Sequence, residues 1–218
     1  MTVADECDRS VVYCGHVADA PDPTPVDGRR ARGERTRRTA ARKAADIATT
    51  HGLDSITVGT LAEATGLSKS GILTVFGSRE AIQVAAVAEA RRVYRDTVIA
   101  PVWDTEPGAP RLRALVESWI GYLRAGVFPG GCFVSATATE YGHRTGPVAD
   151  AVRRLKREWL DLLEADLAAA GSPSPVDDAF RIDAMLTAGN VRRELLGDDA
   201  DLDRARRLAL QVVDAVGD

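Results

Sequence analysis

The chain has 218 residues, of which 45% are hydrophobic and 28% charged, so it can bury a sizeable core in one large domain or two small ones. It contains no apolar run of the roughly 18 residues that a membrane-spanning helix needs. Its acidic N-terminus lacks the basic-then-apolar order of a secretion signal. The composition therefore predicts a cytoplasmic protein that has no membrane partner.

The net charge of −4 is unevenly distributed along the chain. Residues 1–28 contain one arginine against six acidic residues, which gives −5, whereas residues 29–80 contain ten basic residues against five acidic ones, which gives +5. Residues 81–218 contain 17 basic and 21 acidic residues, which gives −4. Because a nucleic-acid binder needs only a local basic surface, residues 29–80 are the candidate region for such contacts.

The N-terminal segment 1–28 is predicted to be a disordered tail, since three prolines at positions 21–25 alternate with aspartate and threonine. The three cysteines of the chain are Cys7, Cys14 and Cys132. An odd number at irregular spacing argues against a disulfide framework or a zinc site. We expect Cys132 to be a small buried side chain, and we expect neither a metal nor a cofactor.

A dense basic run leads into the first predicted helix, which covers about Arg35–His51 and ends before Gly52. Such a run is usually a solvated helix face, but its position next to the following element favours contact with phosphates. The run consists of Arg29, Arg30, Arg32, Arg35, Arg37, Arg38, Arg42 and Lys43.

Residues 57–76 have the pattern of a helix-turn-helix, in which two short helices are separated by a glycine turn. Thr57 and Ser68 are predicted to cap the two helices, and Gly66 supplies the positive φ of the turn. Ser78 is a good cap for the next helix. The alternative is an ordinary helical hairpin inside a core, since look-alikes of this element are common.

The rest of the chain is predicted to be helical, with no segment that alternates like a strand. We therefore predict an all-α fold of about nine helices, with a helix-turn-helix domain over 29–80 and a helical domain over 81–218. The later predicted helices cover about 79–99, 111–125, 132–141, 147–170, 177–196 and 202–216.

Residues 36–90 resemble the N-terminal domain of the TetR family of transcriptional regulators. The whole resemblance covers about 180 residues and is strong over the first 50 of these and weak beyond them. The resemblance rests on the alanine spacing before Gly52, on residues 57–69, and on the Phe-Gly-Ser-Arg-Glu-Ala-Ile passage at 76–82. Leu73 and Val75 depart from it, because relatives often carry an aromatic residue and a histidine there. The departure indicates either readout shifted to Lys69, Ser70 and Thr74 or a weakened or unusual operator preference.

The resemblance implies a homodimer that binds a near-palindromic double-stranded DNA operator, most often as a repressor. The residues it assigns to DNA are Arg35, Arg37, Arg38, Lys43, Thr57, Ser68, Lys69, Ser70, Gly71, Thr74 and Arg79. The last two helices would form the dimer interface through Met185, Leu186, Ala188, Gly189, Leu195, Leu208, Val212, Val213 and Val216.

The resemblance also implies a small-molecule effector, which the aromatic residues suggest is apolar, although core packing explains each of them equally well. Candidate lining residues are Trp103, Trp119, Tyr122, Phe128, Phe133, Tyr141, Trp159 and Met185, with His143 more typical of a surface loop. A DNA-binding architectural protein without a ligand remains an alternative. So does a helical enzyme, although we find no phosphate loop, metal-spaced histidines or nucleophile motif and expect no enzymatic activity.

Overall fold

The computed structural model describes residues 25–217, and the part of the chain it describes is all-α, with nine α-helices and no strand. Cys7, Cys14 and nearly all of the predicted tail lie outside these residues. The helices are α1 (Pro25–His51), α2 (Val58–Thr65), α3 (Lys69–Phe76), α4 (Arg79–Tyr94), α5 (Ala109–Arg124), α6 (Phe133–Tyr141), α7 (Pro147–Ala169), α8 (Pro175–Leu196) and α9 (Ala200–Gly217).

Most helix bounds agree with the predicted ones to within two residues, and α1 and α4 are the exceptions. Helix α1 begins at Pro25, and proline suits the first turn because its N–H would have no intrahelical acceptor there. The basic run therefore lies within α1, where Arg30, Arg32, Arg35, Arg38 and Lys43 are exposed. Helix α4 passes at Arg95–Ile99 into a π-helical turn and then a short 3₁₀ turn. The Ser118 hydroxyl donates to the Val98 carbonyl at 2.8 Å, which satisfies one carbonyl of this irregular end.

The first four helices form a compact unit in which α1 packs against α2, α3 and α4. Its core consists of fully buried aliphatic side chains: Leu53, Ile56, Leu61, Ile72 and Ile82. The Gln83 amide donates to the Leu53 carbonyl at 2.8 Å, which fixes the segment between α1 and α2 on α4. This unit holds α3 with one face buried and the other exposed.

Helices α5 to α9 form a second bundle, in which α8 packs on α7 and α9, and α5 packs on α9. Gly189 allows the close approach of α8 and α9, because a Cβ at this position would lie 2.5 Å from the Ala205 Cβ. An ion pair joins α5 to α7, because Arg111 Nη2 lies 2.6 Å from Oδ1 of the fully buried Asp166. The buried residues of both units form one continuous hydrophobic cluster.

Within residues 25–217, no single helix is long and apolar enough to cross a membrane. One pair, Lys69–Phe76 with Arg79–Val102, meets the length and composition requirement together but is bent by 69°.

Candidate nucleic-acid interface and ligand cavity

The helix-turn-helix is held by the local caps that its sequence predicts. Thr57 and Thr60 form a reciprocal capping box at the start of α2, where the Thr60 N–H donates to Thr57 Oγ1 at 3.0 Å. Gly66 adopts a left-handed conformation with φ of 70° in the turn. The Gly71 N–H donates to Ser68 Oγ at 3.0 Å and caps α3. These short-range contacts fix the angle at which α3 leaves α2.

Helix α3 has two distinct faces. Ile72 and Phe76 are buried against the other helices. Its exposed residues are Lys69, Ser70, Leu73 and Thr74, and Gly71 is half-buried beside them. The structure therefore places all five predicted DNA residues of this element along or beside one solvent-facing surface: Ser68, Lys69, Ser70, Gly71 and Thr74.

The hydroxyl groups on this surface already have partners within the helix. Thr74 Oγ1 donates to the Ser70 carbonyl at 2.8 Å. The hydroxyls of Ser68 and Ser70 lie 3.1 Å apart, within hydrogen-bond distance of each other. Lys69 is therefore the residue of this face that presents a charged donor without an ion-pair partner among the described residues.

Two of the predicted DNA-contacting arginines, the half-buried Arg37 and the exposed Arg79, donate hydrogen bonds to backbone carbonyl groups of the helix-turn-helix unit. Arg37 donates to the Val75 carbonyl at 2.6 Å, and its guanidinium carbon lies 4.9 Å from the centroid of the Phe76 ring. Arg79 donates to the Ile56 carbonyl at 2.9 Å and also to the Asp54 carbonyl. Both guanidinium groups therefore hold the ends of α3 and the segment before α2 in place.

The remaining cations of this region are exposed and make no ion pair with any residue that the structure describes. They comprise Arg30, Arg32, Arg35, Arg38, Lys43 and Lys69. Exposed cations of this kind are available to neutralise phosphates.

A small cavity of about 30 Å³, partly open to solvent, lies between α4, α5, α6, α7 and α8. Its lining comprises Tyr94, Trp119, Cys132, Val134, Ser135, Leu155, Lys156, Trp159, Asp183, Leu186 and Thr187. One wall is charged, since Lys156 Nζ lies 2.5 Å from Asp183 Oδ1, and the Trp159 indole N–H donates to the same oxygen at 3.1 Å. Apolar groups with one polar edge are typical of small-molecule sites.

Two of the eight predicted effector residues, Trp119 and Trp159, line this cavity. Tyr122, Phe128 and Phe133 are buried beside it in a chain of ring contacts, with centroids 6.3 Å apart for the first pair and 5.9 Å for the second. Trp103 is 44% exposed and stacks with Arg111, while Tyr141, Met185 and the exposed His143 lie away from the lining.

Tyr94 lines the cavity, and our sequence reasoning missed it. Its ring makes edge contacts with Tyr122 at 5.7 Å and Trp159 at 5.8 Å. Burial raises the pKa of its hydroxyl well above the ordinary value, so this group is a neutral hydrogen-bonding partner at physiological pH. The sequence feature that indicates its burial is its spacing of four residues from Ala90, because residues four apart lie on the same face of a helix and Ala90 is buried.

The cavity is connected to the helix-turn-helix unit through α6. Val134 and Ser135 line the cavity, and at the other end of this helix Glu140 accepts hydrogen bonds from the N–H groups of Leu53 at 2.7 Å and Asp54 at 2.8 Å. These two N–H groups lie at the start of the short turn that precedes α2. A displacement of α6 would therefore act directly on the DNA-binding unit.

Asp54 strengthens the same junction. It accepts a hydrogen bond from the Tyr141 hydroxyl at 3.0 Å and pairs with Arg144. The hydrogen bond from Arg144 is the largest of the effects that hold the pKa of Asp54 below its ordinary value of 3.8. Burial, together with the nearby Asp54, raises the pKa of Tyr141 to about 12. Asp54 therefore stays ionised and Tyr141 stays neutral throughout the physiological pH range.

Helices α8 and α9 expose an apolar surface. Val176 and Phe180, four residues apart near the start of α8, are 63% and 71% exposed, and Leu195 near its end is 78% exposed. Among the predicted interface residues, Ala188, Leu195 and Leu208 are exposed, whereas Leu186, Gly189 and Val213 are buried within the chain. Met185, Val212 and Val216 are half-buried.

Comparison with known proteins identifies the second bundle and the whole fold. Residues 108–209 match the family model described as tetracyclin repressor-like, C-terminal domain. A TetR transcriptional regulator from Chloroflexus aurantiacus is 21% identical, with a TM-score of 0.75, 84% of this chain covered and 96% of the other. A TetR-family regulator from Streptomyces coelicolor is 19% identical, with a TM-score of 0.74 and 86% and 97% covered.

A third solved structure was determined with ligands. AibR, in complex with isovaleryl coenzyme A and operator DNA, is 20% identical to this chain, with a TM-score of 0.61, 84% of this chain covered and 96% of the other. No curated protein matches this chain.

Proposed function

Because the chain belongs to the TetR family of transcriptional regulators, we propose that it binds a DNA operator through α3 and represses transcription. The observation that carries this proposal is the exposed face of α3, where Lys69 lies without an ion-pair partner among described residues, in a unit whose helix α1 carries further exposed cations without ion pairs. An α-helix fits the major groove of B-DNA, and unpaired cations beside it supply the attraction to phosphates.

The predicted DNA residues fall into three roles in this proposal. Lys69, Ser70, Gly71 and Thr74 approach the base edges or adjacent phosphates. Arg35, Arg38 and Lys43 supply attraction that does not depend on sequence. Thr57, Ser68, Arg37 and Arg79 orient the reading element, because their polar groups already cap helices or hold carbonyl groups of the same unit.

We propose that a second copy of the chain covers the apolar surface of α8 and α9. Phe180 and Leu195 are large apolar side chains exposed by more than two thirds, and such a surface on adjacent helices suits a four-helix interface. A two-fold dimer would place two α3 helices in successive major grooves about 34–36 Å apart. The operator should then be near-palindromic.

We propose that a small apolar molecule with one polar group binds by widening this cavity, whose volume is about 30 Å³ in the structure, and thereby releases the DNA. AibR was solved with an acyl coenzyme A and operator DNA, which shows that this fold can accommodate both kinds of ligand in one relative. The ligand would act only through its preference for one arrangement of α6, which reaches the helix-turn-helix unit through Glu140.

The test begins with selection from a pool of random-sequence duplexes by the full-length protein. A single enriched, near-palindromic fragment is the expected result and reports dimer symmetry at the same time. Diffuse binding would favour an architectural role, and no enrichment would overturn DNA binding. Compounds that raise the melting temperature can then be tested for release of the enriched fragment, and the absence of any releasing compound would favour a regulator without an effector.

The contribution of Lys69 is measured by titrating the enriched fragment at several salt concentrations. Lys69→Ala should weaken binding and reduce the slope of log K against log salt by about one unit, because one phosphate contact is lost. Arg207→Ala is the matched control, since Arg207 is also exposed and has no ion pair with a described residue, but lies on α9. A slope that changes equally in both variants would contradict the role of Lys69.

A further inference from the structure

We propose that Leu73 reads the C5 methyl groups of thymine, so that an apolar contact supplies part of the sequence preference of α3. This inference rests on the proposed DNA-binding function and names the bases that its reading helix prefers. A single exposed leucine is ordinary on a protein surface. Leu73 is distinguished by its position on α3 and by the limited hydrogen-bonding capacity of the residues around it.

Leu73 occupies the centre of the solvent-facing side of α3 and is 46% exposed. Lys69 and Ser70 precede it by one helical turn, Thr74 is adjacent, and Gly77 follows one turn later, and all four are exposed. The buried residues of the helix, Ile72 and Phe76, border this exposed side, and Phe76 lies one turn after Leu73. Any duplex that meets this face of α3 must meet Leu73.

The polar groups around Leu73 have little capacity left to donate hydrogen bonds to bases. Thr74 directs its one hydroxyl hydrogen to the Ser70 carbonyl at 2.8 Å. The hydroxyls of Ser68 and Ser70 lie 3.1 Å apart, and Ser68 also accepts the Gly71 N–H. Gly71 has no side chain. Lys69 is a flexible point charge, so Leu73 is the largest side chain on this face with a fixed shape.

Thymine offers the chemistry that suits such a face. Its C5 methyl is the apolar group that distinguishes it in the major groove, where the other base edges present hydrogen-bond donors and acceptors. Burying one methyl group against a leucine side chain corresponds to a difference of about threefold to tenfold in affinity. The preferred half-site should therefore carry thymine where α3 crosses the groove.

Uracil provides the test, because it retains every hydrogen-bonding group of thymine and lacks only the methyl. The probe is the fragment enriched from the random duplex pool, with each thymine replaced in turn by uracil at symmetric positions. At one or two positions per half-site, the unaltered protein should bind the uracil duplex about threefold to tenfold more weakly per methyl removed. Leu73→Ala should bind both duplexes within twofold of each other, and Leu73→Met should keep the discrimination because it retains an apolar side chain.

Unfolding curves of Leu73→Ala establish that the variant is folded before its binding is interpreted. Enrichment of a fragment with no loss on uracil substitution would overturn this inference and leave the proposed function standing. An equal loss in the unaltered protein and in Leu73→Ala would also overturn it, because another residue would then contact the methyl. Failure to enrich any fragment would overturn both proposals.

Discussion

The helix-turn-helix region and the C-terminal bundle use their positive charges differently. Of the nine basic residues in 30–80, only Arg42 and Arg79 form an ion pair with a described residue. In 81–217, fourteen of the seventeen do so, including the buried pair of Arg111 and Asp166. The cations of the first region therefore remain available to a partner, whereas those of the second serve the fold.

This difference explains how a chain with a net charge of −4 can present a DNA-binding surface. Acidic residues in the bundle lie beside basic ones, so their fields largely cancel at the distances that salt leaves unscreened. The unpaired cations on α1 and α3 form no such ion pairs with the described residues, and within 29–80 basic residues outnumber acidic ones ten to five. The local charge of 29–80, and not the net charge, is therefore what an approaching phosphate meets.

The two regions nevertheless share one hydrophobic core, and Ile72→Ala tests how strongly they depend on each other. Ile72 is 0% exposed, so its truncation should lower the free energy of unfolding by about 3 kcal/mol through lost burial and a residual cavity. Leu73→Ala is the matched control on the same helix and should cost less than about 1 kcal/mol. Urea unfolding followed by circular dichroism measures both.

A single cooperative transition in Ile72→Ala would show that the first four helices unfold together with the bundle. Two separate transitions would instead show that the continuous core does not couple the regions energetically, and would sharpen the contrast between them.

The features that could be predicted from the sequence are those set by neighbouring residues. Thr57, Gly66, Ser68 and Ser78 act as predicted because a cap or a left-handed turn depends on a few adjacent positions. The all-α fold was predictable for the same reason, from helical periodicity.

The features that could not be predicted depend on which distant segments meet. Nothing local indicates that Glu140 accepts from the Leu53 N–H, 87 positions away, or that Arg37 supports Val75. The aromatic residues show the same limit. Trp119 and Trp103 are the same type of residue, yet Trp119 lines the cavity and Trp103 is 44% exposed. Only the packing of α5, which carries Trp119, on its neighbours distinguishes the two positions.

Gly130→Ala should introduce a steric clash between the loop before α6 and helix α1. A Cβ on Gly130 would lie 2.0 Å from the Thr49 carbonyl oxygen of α1, a backbone atom that cannot move away by changing rotamer. Because the φ of Gly130 is not positive, the clash is the whole effect, and we expect a loss of about 2 kcal/mol in the free energy of unfolding.

Gly121→Ala is the matched control for this substitution. Gly121 lies inside α5, where a Cβ would meet no atom within 4 Å, so alanine should stabilise the protein by about 0.5–1 kcal/mol. Equal destabilisation by both substitutions would show that the junction with α1 is not tight in solution.

Glu140→Gln should have the smallest effect on stability and the most local one. Glutamine is neutral and presents one acceptor oxygen where the carboxylate presents two, so one of the Leu53 and Asp54 N–H groups loses its acceptor and the other keeps a hydrogen bond without charge assistance, at a cost of about 1–2 kcal/mol. Native-state hydrogen exchange at pH 7, where Asp54 remains ionised because its pKa is lowered, should show faster exchange at Leu53 and Asp54. Glu106→Gln, on an exposed residue, should leave those amides unchanged. If exchange at Leu53 and Asp54 is the same in both variants, Glu140 does not hold the two regions together, and the proposed coupling from α6 to the helix-turn-helix through this side chain is overturned.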